Sequence, residues 1–202
     1  MSLQNIKGYT PITRKSIESV KCTRIITGDG SEKYNKYIQY LAKKVLNISL
    51  TRTDGYINDE VGILARLDGT YESQPIYGYW NEDLQTSVID SNKPDYIEAI
   101  EYNINRADLV FVHNHPNNSI VSLSDLFTLL WSYNIKLIVA VSNNGSINYA
   151  LKTSNNSKYY YKLYEAIINK INSKKISEQE AYNKLLSKQE VYNLKIWRTH
   201  NE

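Results

Sequence analysis

Leu109-Val110-Phe111-Val112-His113-Asn114-His115-Pro116 is the stretch on which the reading of this chain turns. Four apolar residues in a row, two of them β-branched valines, predict a strand buried on both faces. On a strand, residues two apart point to the same side. His113 and His115 therefore present two imidazoles to one point. Pro116 has no N–H to give to a ladder and ends the strand. A loop over residues 117–121 then leads to Ser122-Leu123-Ser124-Asp125, and helical spacing follows to about Tyr133. Ser122-x-x-Asp125 is, on its own, a capping box. It also sets a carboxylate in the first helical turn, facing back toward the imidazoles. Two imidazoles and one carboxylate give three protein ligands and leave a fourth position open, the arrangement of catalytic zinc.

Outward from this stretch the chain alternates. Residues 20–27 are short, β-branched and apolar, predicting a strand stopped by Gly28-Asp29-Gly30. Residues 31–47 have apolar positions at helical spacing, with Ser31 as N-cap. Strands are expected over 61–67, 76–80 and 86–89. A helix is expected from Pro94 to about Arg106, with Tyr96, Ile97, Ile100 and Ile104 on one face. After the helix at Asp125 comes a buried strand over 137–141. Asn143-Asn144-Gly145 signals a hairpin, and residues 146–152 pair back. Residues 154–157 read as a polar linker, residues 159–172 as a helix, and Ser177-Glu178-Gln179-Glu180 as a capping box opening a last helix. The expected class is α/β (α+β), a mixed β-sheet flanked by helices. Its division is a domain over 1–153, with an N-terminal strand, and a C-terminal helical extension over 154–202.

Composition removes several alternatives. The chain has 202 residues, a formal net charge of +3 and no long basic run, too mild a balance to argue for nucleic acid. One cysteine, Cys22, excludes an intrachain disulfide and a cysteine-built zinc site. Cys22 lies in an apolar segment, where an inert buried thiol outweighs a nucleophile. No stretch is long enough to span a bilayer, and the N-terminus lacks the apolar core of a signal peptide. The expectation is a soluble cytoplasmic protein, with export lacking a cleaved signal left open. An HNH nuclease does not fit, because its histidines are spread over a ββα finger and only His200 is left over here. A nucleoside deaminase would need His-x-Glu and Pro-Cys-x-x-Cys.

His113-Asn114-His115-Pro116 with Ser122-x-x-Asp125 resembles the JAMM, or MPN-plus, metalloproteases, the family of JAB-domain proteins. The His-Asn-His-Pro form looks most like RadC-like and phage-associated bacterial members. The resemblance covers roughly residues 31–152 and implies a JAB/MPN-like fold with cytidine-deaminase-like layering. It implies Zn2+ as cofactor, held by His113, His115 and Asp125. The family's glutamate precedes a short apolar strand, and Glu60-Val61-Gly62-Ile63-Leu64 has that form. Glu60 is favoured over Glu72, Glu82, Glu98 and Glu101 as the proton-handling group. Ser122 would donate to the oxyanion, with Ser119 or Ser124 as weaker substitutes. The implied substrate is a protein or peptide, including ubiquitin-like conjugates, cut by metal-activated water. Two other classes stay open: a JAB-like binding or structural protein of a phage or mobile element, and a toxin or effector protease module. In the tail, Tyr160, Leu163, Tyr164, Ile167, Ile168 and Ile171 predict a stripe packed on its own domain. Leu185, Leu186, Tyr192 and Trp197 are the alternative, a partner surface. Oligomeric state is not legible in the sequence.

Overall fold

The computed structural model describes residues 10–22, 24–52, 59–81, 86–116 and 119–198. A mixed sheet of six strands forms the middle layer, in the order β2 (Ile76–Tyr77), β1 (Val61–Arg66), β5 (Leu109–His115), β6 (Ile135–Ser142), β7 (Ile147–Lys152) and β8 (Leu194–Arg198). β5 and β6 run parallel and every other pairing in this sheet is antiparallel. A separate hairpin pairs β3 (Tyr79–Asn81) with β4 (Thr86–Val88). The parallel pair needs a crossover, and α4 (Leu123–Trp131) supplies it.

The alternation of side chains along β5 divides the core in two. Val110 and Val112 join Val61, Ile63 and Ala65 of β1 under α2 (Ser31–Leu50), whose Ile38, Leu41, Ala42 and Val45 cover that face. Leu109 and Phe111 point the other way. They join Leu126, Leu129 and Leu130 of α4, Tyr96 of α3 (Pro94–Tyr102), Tyr160 of α5 (Ser157–Asn172) and Leu185 of α6 (Glu178–Ser187). Both faces of β5 are buried at all seven positions, as its continuous apolar run demands. The fold is therefore α/β, with a mixed sheet between helices.

Several local expectations are corrected. The described part of 20–27 forms no strand; α1 (Arg14–Ser19) precedes it. Val20, Cys22 and Ile25 are buried, but the backbone there bonds to side chains of α2 and not to a ladder. The Cys22 N–H donates to Gln39 Oε1 at 3.0 Å, and the Ile26 N–H to Asn35 Oδ1 at 3.0 Å. Asn35 Nδ2 donates back to the Ile26 carbonyl at 2.8 Å. An apolar segment whose peptide groups are satisfied this way needs no partner strand. Ser31 is the first residue of α2, not its cap; that position belongs to Gly30, whose φ of 71° is the left-handed region that glycine tolerates. α3 ends at Tyr102, four residues short of Arg106, because buried Asn103 takes over. Its Nδ2 donates to the Ala99 carbonyl at 2.8 Å and its Oδ1 accepts from Arg66 Nε at 2.7 Å. Tyr96 is buried and Ile100 packs on the core, whereas Ile97 and Ile104 are exposed.

The tail is helical through α5 and α6, and the expected capping box at Ser177 and Glu180 is present. Tyr160 and Ile167 are buried, and Leu163, Tyr164 and Ile171 pack beside them, so the stripe covers the domain's own sheet. The helical expectation fails at β8, which joins the edge of the main sheet beside β7. Leu185 and Leu194 are buried in the same core, whereas Trp197 is exposed. No described helix is long and apolar enough to cross a membrane.

Candidate metal centre

β5 delivers His113 and His115 to the face covered by α4, the same side as Leu109 and Phe111, because all four share one parity along the strand. β5 ends at His115, and α4 begins at Leu123 with Ser122 as its N-cap. Ser122 Oγ accepts from the Asp125 N–H at 3.1 Å, while Asp125 Oδ2 accepts from the Ser122 N–H at 2.7 Å. This is the capping box the sequence predicts, and it also aims the carboxylate. Asp125 Oδ1 lies 3.2 Å from His113 Nε2, and Oδ2 lies 3.4 Å from His115 Nε2. The two Nε2 atoms are 2.9 Å apart. His113, His115 and Asp125 form the metal-competent cluster found among the described residues.

The donor set fits a small tetrahedral cation. Zinc ligands at 2.0–2.1 Å on a tetrahedron stand about 3.3 Å from one another. The two nitrogens at 2.9 Å, and the contact of each with an Asp125 oxygen, 3.2 Å to Oδ1 for His113 and 3.4 Å to Oδ2 for His115, lie near that value. Tautomer chemistry agrees. His115 Nδ1 lies 3.1 Å from the Ser119 carbonyl oxygen, which can only accept, and 2.9 Å from Ser119 Oγ. A proton on Nδ1 leaves Nε2 with its lone pair directed into the cluster, the usual way a metal-binding histidine is oriented. His113 Nδ1 is buried without a hydrogen-bond partner, and the ring is held by packing against Phe111 at 5.0 Å between centroids.

Electrostatics set the carboxylates apart. Asp125 is lowered well below the usual range: burial opposes its charge, but His113 and His115 outweigh that penalty. Glu60 moves the other way, pushed up to about 8 by burial, with the charges of Asp125 and Asp59 adding to it and that of His115 opposing. Burial also lowers His113. For His115 burial is outweighed by the Asp125 hydrogen bond and charge, which raise it to about 9.

Glu60 immediately precedes β1, on the parity of Gly62 and Leu64, and so on the face of the two histidines. Its Oε1 is 4.0 Å from His115 Nε2, beside the three-ligand cluster and outside it. Three of the rival glutamates are elsewhere. Glu72 pairs with Lys44, and Glu98 and Glu101 are exposed on α3. Glu82 lies outside the described residues. The Ser122 hydroxyl donates to Asp125 Oδ2 at 2.7 Å, within the cap. Ser124 is exposed, and Ser119 serves His115. Ser119 and Phe111 support the histidines without a signal in the sequence. The roles of both depend on loop and sheet geometry, which spacing does not encode.

Comparison with family models, curated proteins and solved structures gave no match to this chain.

Proposed function

We propose that the chain is a zinc-dependent hydrolase of the JAMM type that cuts a peptide or isopeptide bond. The observation that carries this reading is the pairing of a three-ligand cluster with a separate, buried, high-pKa glutamate 4.0 Å from one of its nitrogens. A structural zinc site would fill its fourth position with another protein ligand. Here the nearby carboxylate is Glu60, held outside the cluster.

Zinc, when bound, supplies Lewis-acid chemistry that polarises a carbonyl and brings the pKa of water toward neutrality. His113, His115 and Asp125 would hold it. Glu60 takes the proton of the attacking water and returns it to the leaving amine. Burial holds the Glu60 carboxyl above the usual carboxylate range, the direction a proton shuttle near neutral pH needs. Ser122 enters as the group that orients Asp125 through Oδ2. Donation to an oxyanion by Ser122 would require its proton to leave Asp125.

The test is turnover of peptide and isopeptide substrates, ubiquitin-like conjugates included, by zinc-loaded wild type and by Glu60→Gln. The expected loss in Glu60→Gln is roughly a hundred-fold or more in kcat, the scale of a lost general base. Full activity in Glu60→Gln would remove Glu60 from the reaction. A zinc-loaded wild type that cuts none of these bonds would leave a metal-holding binding module instead.

A further inference from the structure

We propose that Asn114, the residue between the two histidines, is a positioning residue that sets where Glu60 stands relative to the metal ligands. The inference rests on the reading of Glu60 as the proton-handling group. The alternation that sends His113 and His115 to the α4 face sends Asn114 to the opposite one, and it is fully buried there. The ladder between β1 and β5 has Gly62 opposite His113 as its last registered pair. One step further, the Val61 N–H donates to Asn114 Oδ1 at 2.7 Å, a side chain in place of a main-chain carbonyl. Asn114 Nδ2 donates to the Asp59 carbonyl at 3.3 Å and to Asn143 Oδ1 at 3.0 Å. One carboxamide thus grips the main chain on both sides of Glu60.

The substitution of a side chain for a rung has a geometric consequence. Continued in register, the ladder would set Glu60 directly opposite His115, with Cβ atoms about 4.5–5.5 Å apart. That leaves little room for a water and a carbonyl between base and ligands. The carboxamide takes the place of a main-chain rung beyond the last registered pair while keeping β1 tied to the strand that carries both histidines. Other holds on this segment come from elsewhere, and the Ile89 backbone bonds to the Glu60 carboxylate itself. The Ser49 hydroxyl donates to the Asp59 carbonyl at 2.7 Å, and the Gly78 N–H to the Glu60 carbonyl at 2.8 Å. Asn114 is itself anchored. Asn143 Nδ2 donates to the Thr10 carbonyl at 2.8 Å, and the Asn143 N–H to the His115 carbonyl at 3.2 Å. The network links the base, the histidine strand and the β6–β7 turn.

The experiment compares Asn114→Leu, which keeps the shape and removes every bond, with Asn114→Asp, which keeps the acceptor for Val61. Zinc content, amide exchange at Val61 and a crystal structure are read beside turnover. In Asn114→Leu zinc stays at the wild-type level, Val61 exchanges at least ~10-fold faster while Ile63 does not, and Glu60 Oε1 moves away from His115. Turnover falls about a hundred-fold in kcat with KM held, the scale for a misplaced catalytic group. Asn114→Asp restores Val61 protection and part of kcat. Unchanged Val61 exchange with Glu60 in place overturns the proposal, and so does zinc loss from a folded Asn114→Leu chain. Should neither variant fold, the wild type decides. The Val61 N–H and the Asn114 carboxamide protons are expected to exchange as slowly as the core of β5, and exchange at the solvent rate overturns the proposal. The exchange and Glu60-position readouts need no substrate, so a chain that cuts nothing defeats the hydrolase reading without deciding this one.

Discussion

His115 is the residue with the most to say about metal and proton together. In the metal-free site it is raised to about 9, because the bond and charge of Asp125 outweigh the burial that opposes them. A metal-binding imidazole must be neutral, so below that pH binding has to expel a proton. Rising pH removes this competition, and zinc affinity should climb up to about pH 9 and then level. The expected slope is roughly ten-fold per pH unit while one proton is released. Chelator competition at several pH values measures it, and an affinity that is flat or falling over that range contradicts the assignment. Melting temperature alone would mislead. Burial, helped by Lys136, pulls Lys152 down to about 7, well below its unfolded value. Above that pH Lys152 carries its proton only in the unfolded chain, which raises stability with pH. Raised His115 carries its extra proton only in the folded chain up to about 9, which lowers stability with pH. Both act without zinc, so the melt does not isolate metal binding.

Among the elements, β5 was the most legible and β8 the least. The run from Leu109 to Val112 reads as a two-face-buried strand, and His-x-His on such a strand sends both imidazoles to one side of the sheet. The capping box at Ser122 and Asp125 was legible because it is local chemistry. What stayed hidden depends on contacts far along the chain. Leu194–Arg198 becomes a strand because β7 offers an unpaired edge, which no property of those five residues announces. Residues 20–27 have strand composition, yet Gln39 and Asn35 of α2 satisfy their backbone first. Gly62 of β1 shows how an element supports the site without entering it. A Cβ there would lie 2.5 Å from Phe111 Cε2 and 2.9 Å from Ile89 Cδ1. The Phe111 ring has no free side to retreat to, since it stacks on His113 at 5.0 Å and meets Tyr96 edge-on at 5.7 Å. Gly62→Ala should cost about 1–3 kcal/mol, the usual scale of overpacking, and should weaken zinc binding with every ligand intact. Denaturant melts and metal titration of that variant check both effects; wild-type values for both would show that Phe111 does not brace His113.

At the scale of the whole molecule, the tail is part of the fold and the metal centre depends on it indirectly. Tyr160, Leu185 and Leu194 are buried in the core that also holds Leu126 and Leu129 of α4, the helix that carries Asp125. Tyr160 Oη also donates to the Asn193 carbonyl at 2.6 Å, binding α5 to the turn before β8. A chain ended after Thr153 would expose this face of the sheet and the β7 edge. It should lose its cooperative thermal transition and aggregate, an outcome that calorimetry and size-exclusion chromatography read directly. A sharp melt in the shortened chain would instead make residues 154–202 an independent extension. The central claim, that three side chains hold one metal ion while a fourth handles the proton, is tested most directly by zinc stoichiometry. Elemental analysis of protein purified without added metal should find about one zinc per chain in the wild type, as expected for three converging ligands. His113→Ala, His115→Ala and Asp125→Ala should each lose most of it, and Glu60→Gln should keep it. Zinc retained by all three ligand variants, or stripped from a folded Glu60→Gln chain, would contradict the account.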